Sequence, residues 1–157
     1  MECYERATMI KTFRGQIADG GQDTIVLHTA DGSTGYRIVK LALFPVRPGW
    51  SNHIENVVQI FKTDQTANLV TTNPTVDFFD QTLLAAAYLA DDVNMASGPV
   101  EVVIFDNEIF NHDIFVTHTD ASGSLAVNYY LELEQVKLDL GENTVATLKD
   151  IRNVTAP

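Results

Sequence analysis

Cysteine is almost missing from this chain: Cys3 is the only one in 157 residues. No internal disulfide can form and no Cys-rich zinc site can be built, so folding in a reducing cytoplasm is the natural inference. A leader-like apolar run is also missing, because the opening MECYERATMIKTFRG carries charge at Glu2, Glu5, Arg6 and Lys11. Without a secretory signal, the glycosylation sequon Asn153-Val154-Thr155 is expected to be coincidental. Basic residues are scarce, 10 against 21 acidic ones, for a formal charge of -11 with no local Lys/Arg cluster. Such a chain repels phosphate backbones and anionic lipid, so neither nucleic acid nor membrane is an expected partner. The acidity keeps the surface soluble, or else it faces a basic partner.

The familiar catalytic patterns are absent as well. There is no Gly-rich phosphate loop, no His-Glu-x-x-His, no Gly-x-Ser-x-Gly and no His-x-His of the kind a metal-dependent jelly-roll enzyme needs. The richest polar stretch is DNEIFNHDIFVTHTD, residues 106–120. Strand geometry puts His112 and His118 about 20 Å apart, too far to share a metal. Asp106, Asn107, Glu108, Asn111 and Asp113 could gather calcium, but Asp and Asn also populate turns for backbone reasons alone, and that reading is preferred. Glu132 and Glu134 lie about 7 Å apart on one strand face, a glycosidase-like spacing, yet they alternate with Leu as a solvated face would. His28 and His53 are isolated. The expectation is a protein that is not an enzyme, with no catalytic, cofactor or metal residue assigned; a sandwich hydrolase whose residues converge only in three dimensions ranks below it.

What the chain does have is length and alternation. One domain over residues 1–157 can bury a full core, and 45% apolar residues supply it. KTFRGQIA (11–18), DTIVLHT (23–29) and GYRIVKLALF (35–44) read as strands joined at Asp19-Gly20 and Asp31-Gly32, which predicts a three-stranded meander. FPVRPGW (44–50) should leave the sheet as a loop, with Trp50 folded back or marking a contact. NVVQIFKT (56–63) is a further strand, followed by an extended piece near 75–79. In DQTLLAAAYLADD (80–92) the Ala run, with Asp80 as cap, favours a short helix over a buried strand. PVEVVIFD and DIFVTHT return to strand. LAVNYYLELEQVKLDL (125–140) alternates most clearly, with Leu125, Val127, Tyr129, Leu131 and Leu133 on the core face and Asn128, Tyr130, Glu132 and Glu134 on the wet one. Its apolar parity slips after Leu133, which predicts a β-bulge near Glu134-Gln135. About eight mostly antiparallel strands at this length indicate an all-β, two-sheet antiparallel β-sandwich of jelly-roll type with one short helix. A Greek-key sandwich of another topology fits the same pattern.

The block VVIFDNEIFNHDIFVTHTD with NYYLELEQVKLDL, together with GYRIVKLALFPVRPG and HIENVVQIFKT, resembles small virion structural proteins of marine tailed bacteriophages. The resemblance is one of pattern over most of the chain and carries no defined site. It implies a protein made in the bacterial host cytoplasm that assembles into the virion. The implied role is a capsid decoration or cement subunit on the major capsid protein, with head fibre or tail component as other options. Such a subunit needs interfaces rather than chemistry, and a homo-oligomer, with a trimer among its forms, is expected. Candidate interface residues are Trp50 and Tyr130, with Met1, Glu2, Arg152 and Pro157 on two terminal arms, MECYERATMI and DIRNVTAP. The competing reading is a carbohydrate- or receptor-binding module that uses exposed aromatics.

Overall fold

Alternation at period two dictates the architecture. A computed structural model describes residues 9–50, 53–92 and 98–138. It contains β1 (Met9–Ile17), β2 (Gln22–Ile25), β3 (Thr34–Pro45), β4 (Ile54–Phe61), β5 (Leu83–Asp91), β6 (Val100–Phe105), β7 (Ile114–Asp120) and β8 (Val127–Lys137), plus one 3-10 turn at Thr66–Asn68. Met1, Glu2, Cys3, Arg152, Pro157, the sequon and both proposed arms, apart from Met9 and Ile10, lie outside the described residues.

The strands form two antiparallel sheets, β1-β8-β3 and β2-β7-β4-β5-β6. Their inner faces share one core, in which Val58, Ile60, Ile114, Val116, Val127, Leu131 and Leu133 are fully buried. The protein is therefore an all-β sandwich. Pairing of β1 with β8, β2 with β7 and β4 with β5 gives the nested wrapping of a jelly roll. The remaining nested pair, β3 with β6, is not made. β6 hydrogen-bonds β5 instead, and β3 is met by a two-way Tyr36–Phe110 bridge of 2.8 and 2.9 Å and by the Glu101 carboxylate, which accepts the Leu43 N–H at 3.3 Å.

Four expectations are corrected. β1, β2 and β3 do not form a meander, because β1 and β3 both flank β8 while β2 pairs β7. Gly20 and Gly32 do adopt the positive φ that Asp-Gly turns need (71° and 65°), but each turn carries the chain toward the other sheet. The segment expected as a helix is β5. It runs between β4 and β6 with Ala85, Ala87 and Leu89 turned into the core, and neighbours on both sides override the helix propensity of Ala. Asp80 caps a tight turn rather than a helix, its Oδ1 accepting Thr82 N–H at 2.8 Å and Thr82 Oγ1–H at 2.7 Å. Residues 75–79 form no strand; they lead into a turn at Phe78-Phe79. The bulge lies on β3, where Ile38 opposes Leu133 and Lys40 opposes Glu132, leaving Val39 as the extra residue. It moves the inward set of β3 from Tyr36 and Ile38 to Leu41 and Leu43.

Candidate interaction surfaces

Of the acids, amides and imidazoles of residues 106–120, Asn107, Glu108, Asn111, Asp113, His118 and Asp120 pair with other groups of the fold. Asp113 Oδ1 accepts the N–H groups of Leu27 and His28 at 2.8 and 3.0 Å and lies 2.7 Å from His28 Nδ1. Burial works to raise the Asp113 carboxyl, but these hydrogen bonds outweigh it and hold the group below its ordinary value. Asp120, 1% exposed, accepts from Glu55 N–H (3.3 Å) and Ser122 N–H (3.2 Å) on one oxygen and from Leu125 N–H (3.0 Å) on the other. Asn111 Nδ2 donates to Gly32 O at 3.1 Å, Glu108 pairs with the Lys62 ammonium at 2.7 Å, and Asn107 accepts from Arg37 at 3.3 Å. His118 is buried, with Nε2 2.9 Å from Asn56 Oδ1 and Nδ1 3.3 Å from Ala18 O. Burial pushes its pKa down, against the pull of Ala18 O, Asp19 and Asp120. Among the described residues no group of three or more His, Cys, Asp or Glu is placed to hold a metal ion.

Of the sequence-derived interface residues, the described chain contains two. Trp50 is 37% exposed, and the Arg47 guanidinium lies 5.0 Å from its ring in the turn after β3. Tyr130 lies mid-sheet on the outer face of the three-stranded sheet, paired with Arg14 on one side and Ala42 on the other. Its hydroxyl donates to Glu132 at 2.7 Å, the interaction that raises the phenol pKa, and the Lys40 ammonium sits 5.6 Å from its ring. Arg14, Lys40, Phe44, Asn128 and Tyr130 line an open cavity of about 600 Å³. This sheet also differs in charge from the rest. β1, β3 and β8 carry Lys11, Arg14, Arg37, Lys40 and Lys137 against Glu132 and Glu134, whereas the other described residues hold only Arg47 and Lys62 against fourteen acids. Glu132 and Glu134 are outward, as their alternation required, and Glu134 is ion-paired with Arg37.

Sequence reasoning missed the other surface. On β6, Val100, Val102 and Ile104 are 39, 48 and 49% exposed on the outer face of the five-stranded sheet, beside Tyr88 of β5 at 36%. The available signal was VEVVIF itself, which is apolar at both parities although it ends a sheet. Phe78 and Phe79, 67 and 92% exposed, project from a turn closed by Asp80 N–H donating to Asp77 O at 3.1 Å. The 62–82 connection lies over β4 and β7, tied down by Gln59 Nε2 to Thr75 O (3.3 Å) and Thr119 Oγ1 to Val70 O (2.8 Å). Between it and the sheet is a groove of about 360 Å³ lined by Gln59, Thr117, Asn68, Asn73, Asp77 and Asp80 among others.

No protein-family model matches the chain, and comparison with curated proteins gives no match. Among the described residues no helix is long and apolar enough to cross a membrane.

Proposed function

We propose that this protein is a non-enzymatic structural subunit of a virion, of the capsid decoration or cement kind, which binds the major capsid protein and stabilises the head. The observation that carries the reading is the exposed apolar face formed by β6 and Tyr88. Contiguous apolar surface on an otherwise acidic sandwich marks a protein contact more readily than a small-molecule site. The outer face of β1, β8 and β3, where Arg14, Arg37 and Lys40 stand with Glu132 and Glu134 around Tyr130, adds a second, chemically distinct surface, as a subunit that touches unlike neighbours requires. The test is mass spectrometry of purified particles, followed by rebinding of recombinant protein to particles stripped of it. Stoichiometric presence and restored resistance of the head to heat support the reading. Absence from particles together with failure to bind them refutes it.

A second reading, a carbohydrate- or receptor-binding module on a head fibre or tail, draws on the amide- and carboxylate-lined groove beside Phe78 and Phe79. Binding on a glycan array would favour it, and silence with and without chelator would count against it.

A further inference from the structure

Strand β6 ends the five-stranded sheet, and no strand lies against its free side among the described residues. Asp106 N–H donates to Leu84 O at 3.1 Å, which sets the alternation: the even residues exchange bonds with β5. Glu101, Val103 and Phe105 therefore turn their N–H and C=O groups toward the open edge. Of the devices that blunt such an edge, lysine, proline and a bulge are absent from VEVVIF itself, although Pro99 stands just before it and Glu101 brings a charge. Its one charge is drawn onto β3, where Glu101 accepts the Leu43 N–H at 3.3 Å.

We infer that this open, apolar edge pairs with β6 of a second copy, antiparallel about a two-fold axis at Val103, joining the two five-stranded sheets edge to edge. The occupant is read from the chemistry of the strand, which is complementary to itself. With odd residues bonded across the axis, the register that engages the whole strand sets Val103 opposite Val103 of the second copy. Glu101 then faces Phe105, and Asp106 faces Val100. No two like charges are opposed, although each chain carries -11. On the outer face Val102 packs beside Ile104 twice, and the apolar strip that each copy exposes beside Tyr88 becomes continuous. The net repulsion between two acidic copies gives the contact a signature: the dimer tightens as salt rises, because screening removes the opposing term. A contact of Arg14 and Lys40 on the other sheet with an acidic surface would loosen instead.

The inference rests on the reading of this surface as an interface and specifies one of its occupants. Self-association and particle binding are measured separately, so the two can fail separately. Sedimentation over a concentration series, at low and high salt, is expected to show a monomer–dimer equilibrium that strengthens with salt. Ile104→Lys, at an exposed position, should weaken it at least tenfold even though it lowers the net charge of the dimer. In a Cys3→Ser background, Val102→Cys copies mixed with Ile104→Cys copies should form a mixed disulfide at least tenfold faster than either does alone. That follows because only the mixed pair is directly opposed, within the Cα separation a disulfide accepts. A wild type that stays monomeric, even one that still binds particles, overturns the pairing. So does slow exchange of the Val103 and Phe105 amides in a monomer, which would mean the chain covers its own edge. A dimer that loosens with salt or survives Ile104→Lys overturns it as well.

Discussion

The most informative single perturbation is removal of the Tyr129 hydroxyl. Tyr129 points inward from β8 and donates to Asp23 Oδ2 of β2 at 2.5 Å, so one hydrogen bond ties the three-stranded sheet to the five-stranded one. Burial, reinforced by this bond and the Asp23 charge, raises the phenol pKa far above its ordinary value, so the group remains a donor at every working pH. Gly15 makes room for the pair. A Cβ there would stand 2.8 Å from Tyr129 Cε1 and 2.9 Å from both Asp23 Oδ2 and Tyr129 Oη. A hydrogen bond to a charged acceptor contributes about 1.5–3 kcal/mol. Asp23 is only half-buried, and water can reach it once the hydroxyl is gone, so Tyr129→Phe should cost ~1–2 kcal/mol. For a chain of this length that is a fall in Tm of roughly 2–8 °C. Gly15→Ala should cost about 1–3 kcal/mol through overpacking. The two should be non-additive by ~0.5 kcal/mol or more, because the inserted methyl meets one fewer atom when the hydroxyl is absent. Urea denaturation of both single variants and the double variant measures the cycle. A Tyr129→Phe protein within 0.3 kcal/mol of wild type, or strict additivity (about 0.3 kcal/mol is the usual limit for independent sites), would refute the idea that this bond joins the sheets.

Other outcomes can be checked with the same assay. Leu131 is fully buried between the sheets, so Leu131→Ala should lose about 2–5 kcal/mol. Asp120→Ala removes the acceptor of three backbone N–H groups and should lose ~2 kcal/mol or more, whereas Asp120→Asn, which keeps one acceptor oxygen, should lose less than half as much. His118 has its pKa lowered below 6.5 by burial. Above that value both folded and unfolded chains hold it neutral; below it the unfolded chain takes a proton that the folded one refuses, so stability falls as pH drops until the folded pKa is passed. His118→Gln should flatten the change in unfolding free energy between pH 7 and pH 5, and an unaltered slope would show that the imidazole does not titrate in this way. Asp113 is shifted the opposite way relative to its charge. Its contribution is present above about pH 3.8 and lost as pH falls through its depressed folded value, so Asp113→Asn should remove part of the acid lability of the protein.

Much of the architecture was legible because one face of each long strand is buried. The β8 alternation assigned Leu131 and Leu133 to the core and Tyr130 to the surface, and both hold. What failed was nonlocal. The Ala run of β5 is helical by propensity, and only the strands on either side make it a strand. Asp19-Gly20 and Asp31-Gly32 have the dihedral chemistry of hairpin turns, but the partners of the strands they join lie about a hundred residues away in β7 and β8. The bulge was legible in principle. Tyr36 and Ile38 share one parity and Leu41 and Leu43 the other, a slip as plain in the sequence as the one after Leu133. Of the candidate site, Trp50 and Tyr130 were visible as aromatics at a turn and at an outward parity. β6 was not, because a six-residue strand with five apolar side chains reads as a buried central strand until the pairing shows that it ends a sheet.

The exposed surface and the fold share one cause. In a fully nested jelly roll β6 would lie beside β3, with its apolar residues divided between the core and a shared sheet face. Here the Glu101 carboxylate and the Tyr36–Phe110 bridge occupy the free edge of β3 at Leu43 and Tyr36, and β6 extends the opposite sheet beyond β5. Val103 still reaches the core, but Val100, Val102 and Ile104 are carried onto a face that no third layer covers. The outward apolar side chains and the open hydrogen-bonding edge thus follow from one change of partner by one strand. A variant that returned β6 to β3 would lose both together. An isolated apolar patch could be explained as tolerated surface, and an isolated edge as an ordinary sheet end; the two on the same six residues fit a strand waiting for another strand.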